Sequence, residues 1–136
     1  MLPAVLESSS PGASVVRLGS GGGPRLVVPR TDGAPGDPLL VGIPAREAIL
    51  ASAEPSGISA RNVLPGRVAE VKGLTGDGGM VLVTVDLDPG AGPASPLPPL
   101  VTEVTAGAAG ELGLVAGKPV YVILKTAGCV VYGGRS

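Results

Sequence analysis

The sequence predicts a mainly β fold, a small OB-like barrel of short strands with one short helix, and three observations carry that prediction. The apolar residues are aliphatic: 136 residues contain no Phe, no Trp and two Tyr, so Val, Leu, Ile and Ala must fill the core. They alternate along short runs, as in Val81, Val83, Val85 and Leu87, which is the period of half-buried strands. The runs are punctuated by 23 Gly and 15 Pro, which suits turns and loops. A chain of 136 residues makes one ordinary domain or two very small ones.

Residues 1–12 begin apolar, where a short strand can open, and end in the turn composition Ser8-Ser9-Ser10-Pro11-Gly12. Residues 14–18 and 25–28 are β-branched runs on either side of Gly19-Ser20-Gly21-Gly22-Gly23, a hairpin loop, and Pro29 stops the second run. Pro35-Gly36-Asp37-Pro38 turns into a strand at 39–43. Residues 45–53 are ambiguous, since Ala-Arg-Glu-Ala-Ile-Leu-Ala has good helix propensity.

An internal repeat resolves the ambiguity. Residues 35–51 align without a gap on residues 116–132 at an offset of 81, matching Gly36 to Gly117, Pro38 to Pro119 and Val41 to Val122. The second copy ends in Val130, Val131 and Tyr132, so residues 48–51 are read as a strand too. The rest of the second copy follows in order. Strands are expected at 67–72 and 80–87 around the turn Gly76-Asp77-Gly78-Gly79. A proline-rich irregular loop fills 89–99, and a strand covers 100–104. Thr105 should cap a helical turn at 106–112 that Gly113 ends. The hairpin 119–124 and 128–132 closes the unit, and the tail from residue 133 has nothing to pack against.

Counting excludes much chemistry. With no His and a single cysteine, Cys129, there is no Cys/His zinc site, no internal disulfide and no His-based triad. Cys129 sits in an apolar run and reads as a small core residue, and the paired Asp86 and Asp88 read as a solvated strand end. A net charge of −1 and two tyrosines offer no field or stacking surface for nucleic acid. No signal peptide and no apolar run long enough to cross a bilayer are present, so a cytoplasmic setting without membrane insertion is expected. The absence of G-x-x-x-x-G-K-[ST] argues against an enzyme in this stretch of chain.

Ile58-Ser59-Ala60-Arg61-Asn62 with Gly66-Arg67-Val68, then Val104-Thr105, Glu111-Leu112-Gly113-Leu114, Gly117 and Val122-Ile123-Leu124-Lys125-Thr126, resemble the molbindin (mop) type of TOBE domain over about residues 57–132. Leu26-Val27-Val28-Pro29-Arg30, Ala45-Arg46-Glu47 and Glu54-Pro55-Ser56-Gly57 are similar to the C-terminal regulatory region of molybdate ABC transporter ATPases. The resemblance implies tandem units, a degenerate mop-like half at 1–56 and a mop domain at 57–136. It implies an OB-like barrel that associates with itself, as a homodimer or higher, and holds molybdate or tungstate at the joins. The implied partners are further copies of the chain and the ATPase and membrane subunits of a transporter, at the inner face of the membrane. A TOBE module that mediates ATPase dimerisation without ligand is the rival expectation.

A tetrahedral dianion needs hydrogen-bond donors and positive charge. The family's oxyanion contacts fall on Ser59, Ala60 and Arg61 at one end of the unit, on Lys125, Thr126 and Ala127 at the other, and on Thr105. Taken singly, each has an ordinary reading: Arg61 as a solvated arginine, Lys125 as an edge lysine, Ser59 as a turn residue, Thr126 as a strand-end threonine, Thr105 as a helix cap. Their joint occurrence favours ligand contact. Ala108 stands where the family often has serine, which removes one hydroxyl donor. In the first repeat Pro44, Ala45 and Arg46 replace Lys125, Thr126 and Ala127, so that repeat is expected to be structural.

Overall fold

The computed structural model describes residues 1–73, 79–89 and 97–133. Within them the chain folds into two five-stranded antiparallel sheets. The first half supplies β1 (Leu2–Ser9), β2 (Ser14–Leu18), β3 (Arg25–Val28), β4 (Pro38–Gly42) and β5 (Ile49–Ala51). The second supplies β6 (Asn62–Gly73), β7 (Met80–Leu87), β8 (Leu100–Thr105), a helix α1 (Ala106–Leu112), β9 (Pro119–Leu124) and β10 (Val130–Tyr132). The strand orders are β10-β4-β1-β2-β3 and β5-β9-β6-β7-β8. The final strand of each half therefore completes the other half's sheet: Val131 lies opposite Val41, and Ile49 opposite Ile123.

The repeat at offset 81 holds in three dimensions. A 3-10 turn at Ala45–Glu47 leads into β5, and an equivalent turn at Thr126–Gly128 leads into β10. Residues 48–51 thus do form a strand, at Ile49–Ala51, entered through a single tight turn in place of a helix. The likeness extends upstream. Ladder register breaks after Leu6 in β1 and after Val68 in β6, a bulge at the same place in each half. Gly36 and Gly117, both at positive φ, donate their N–H groups to the Leu6 and Val68 carbonyls at 2.8 and 2.7 Å. A side chain at either position would be strained.

The halves differ between their third and fourth strands. A nine-residue loop, 29–37, joins β3 to β4, whereas α1 is inserted between β8 and β9. The Thr105 hydroxyl accepts the Ala108 N–H at 3.0 Å, and Gly113 at φ 65° ends the helix, as the sequence requires.

Three boundaries move from their expected places. β6 begins at Asn62 rather than at residue 67, because β9 pairs with its first half and β7 with its second, so one long strand serves two neighbours. The strand expected at 39–43 lies at Pro38–Gly42, and that expected at 128–132 is a turn followed by Val130–Tyr132. Part of the glycine turn expected at 76–79, most of the proline-rich loop at 89–99 and the end of the tail lie outside the described residues.

Alternation places one face of every strand in a single aliphatic core that runs through both sheets. Leu2, Ala4 and Leu6 of β1 meet Val16 and Leu18 of β2, and Val83, Val85 and Leu87 of β7 do the same in the second sheet. Val81, the fourth of the alternating residues, is half-buried and packs on the core edge. Cys129 is buried in the slot that Ala48 fills in the first half.

Candidate functional site

β6 and β9 are antiparallel neighbours with Asn62 opposite Leu124. The segment that precedes β6 and the residue that follows β9 must therefore emerge at the same end of the sheet. There Ile58, Ser59 and Ala60 meet Ile123 and Lys125 across a cleft of about 440 Å³. Because β5 pairs with β9, the cleft also receives Ile49, Arg46 and Glu47 from the first half.

Two donors in the cleft are unengaged. Among the described residues the Lys125 ammonium makes no ion pair, and no hydrogen bond holds the Ser59 hydroxyl. Arg46 is committed elsewhere, with Nε 2.8 Å from Oε2 of Glu103 on β8. The Glu47 side chain lies against Gly128: a Cβ on that glycine would stand 3.3 Å from Oε2.

The other expected contacts lie around the cleft or apart from it. Arg61 is exposed, and its Nε donates to the Ser59 carbonyl at 3.1 Å. Thr126 and Ala127 belong to the 3-10 turn just after Lys125. Thr105 caps α1 through its hydroxyl, and neither it nor Arg61, Thr126 or Ala127 lines the cleft. Asn62 has a different task. It is buried, accepts the Val27 N–H at 2.7 Å and donates to the Val27 carbonyl at 2.9 Å, so it clamps β6 to the edge strand of the other sheet.

Two other concavities are equivalent to one another under the internal repeat. One, of about 590 Å³, is lined by Pro3, Ala4, Val5, Gly19, Ser20 and Pro38 among others and has no charged side chain. Its counterpart, of about 430 Å³, holds Pro65, Gly66, Arg67, Asp88, Pro89 and Pro119 with Asp86, so two carboxylates face one guanidinium. Neither offers an uncommitted cation, whereas the cleft at Lys125 does. Sequence reasoning missed Glu47 and Arg46 as cleft residues. The repeat places them on Gly128 and Ala127, but only the exchange of β5 reveals which wall they join.

The TOBE domain family model matches residues 58–131. The chain is 35% identical over 102 residues to the molybdenum import ATP-binding protein ModC of Rhizobium etli, covering 75% of this chain and 26% of that protein. It is 38% identical over 101 residues to the ModC of Albidiferax ferrireducens, covering 74% and 24%. The chain thus spans about a quarter of the length of the curated relatives it matches. The fold is that of the cytoplasmic molybdate-binding protein ModG in a crystal form with molybdate bound: TM-score 0.78 and 24% identity, over 98% of this chain and 94% of that one.

Proposed function

Because the chain belongs to the TOBE domain family, we propose that it binds molybdate, or its congener tungstate, as a non-catalytic regulatory module of molybdenum uptake. It works as the regulatory part of a molybdate importer ATPase or as a free-standing cytoplasmic molbindin. One observation supports this most: Ser59, Ala60 and Lys125, from the two ends of one unit, line one cleft in which an ammonium and a hydroxyl have no partner among the described residues. A charged donor and a hydroxyl beside the approachable backbone of Ala60 are the parts that an oxyanion requires. The ModC relatives and the ModG fold support the choice of anion.

The exposed Arg61 guanidinium and the Thr126–Gly128 turn flank the cleft and remain available to a ligand held between two copies of the chain. On this reading the domain boundary falls near residue 57 in sequence, while the exchanged strands make the two halves one body. Association with itself brings a second cleft alongside and reports molybdate to the transporter subunits.

Titration calorimetry with molybdate and tungstate tests the reading. Heat is expected from the folded protein, with affinity reduced about tenfold to a hundredfold in Lys125→Ala, as befits one charge-assisted contact of roughly 1.4–2.8 kcal/mol. Molar mass by light scattering with and without molybdate reads the assembly. A folded protein that gives no heat and carries no molybdenum on purification overturns the ligand and leaves the rival, a TOBE module that only mediates dimerisation.

A further inference from the structure

The cleft proposed to take an oxyanion already contains an anion of its own. Glu47, from the first half, lines the cleft together with Lys125, its side chain packed on the glycine that occupies its own place in the second half. The two charges share the cleft without forming an ion pair among the described residues, and the only other cation there, Arg46, is paired with Glu103. A dianion entering beside Lys125 therefore shares the cleft with a carboxylate that no ion pair engages among the described residues, and like charges disfavour one another.

We propose that Glu47 is a tethered competitor that sets how strongly the cleft holds its oxyanion, a reading that rests on the oxyanion-binding function above. The carboxylate opposes anion entry and draws on the field of Lys125 when the cleft is empty. It gives the first half, which lacks the lysine and hydroxyl donors of the second, a direct part in affinity. The weakening it causes is electrostatic, so added salt should reduce it.

The test is molybdate titration of the wild-type chain and Glu47→Gln at two ionic strengths. Glutamine keeps the shape packed on Gly128 and removes only the charge, and matched thermal midpoints without ligand check that nothing else has changed. Binding about tenfold tighter in Glu47→Gln, with the gap narrowing at high salt, is the expected result. Binding by the variant alone supports the same conclusion. Equal or weaker binding by the variant overturns the competitor role while leaving the oxyanion function standing. Absence of binding by both proteins overturns the two together.

Discussion

Asn62 opens β6 in the second sheet, yet its carboxamide faces the backbone of Val27 on the outer strand of the first, accepting one hydrogen bond and donating another. It does for β3 what a sixth strand would do, supplying one donor and one acceptor at a single position. Asn62→Ala leaves both Val27 groups unpaired next to the core. A loss of about 2–3 kcal/mol is expected, read as a lower urea midpoint at unchanged slope. Cys129 gives the molecule an alkaline limit. Burial pushes its thiol up from 9.0 to about 11. The folded chain thus keeps a proton that the unfolded chain releases, and stability falls as pH rises through that window. Cys129→Ala should flatten the decline between pH 9 and 11 in denaturation midpoints, with little packing cost, since Ala48 fills the equivalent slot.

At the scale of elements, the exchange of β5 and β10 ties each sheet to residues of the other half. Two tyrosines report it. Tyr121 lies on β9 in the second sheet, and Tyr132 lies on β10 in the first. Tyrosine fluorescence of Tyr121→Phe and Tyr132→Phe should show coincident unfolding transitions, since neither sheet keeps its full set of strands once the other opens. Separate midpoints would show two independent units. Most strands and the caps of α1 were legible in the sequence because their signals are local: alternation, a threonine before the helix, a glycine after it. The exchange was not legible. Val130 to Tyr132 reads identically whether it pairs with β9 beside it or with β4 in the other half, since a three-residue strand carries no mark of its partner. The cleft divides along the same line. Ser59, Ala60 and Lys125 follow from the pairing of β6 with β9, whereas Glu47 arrives through the crossover.

The molecule as a whole is one core built twice, with the copies diverging at the cleft proposed to bind the oxyanion. Bulges, glycine turns and inward faces agree between the halves. The two 3-10 turns do not: Thr-Ala-Gly in one is Ala-Arg-Glu in the other. Shape was retained in both copies, and charge was redistributed between them. The pairing of β4 with β10 also imposes an order of events on synthesis. Gly42 leaves the ribosome long before Val130, its partner, and at usual elongation rates the interval is on the order of ten seconds. Throughout it, β4 presents an unpaired edge carrying Leu40, the kind of surface on which nascent chains stick to one another. The proline that begins β4 and the short length of that strand limit the hazard during translation.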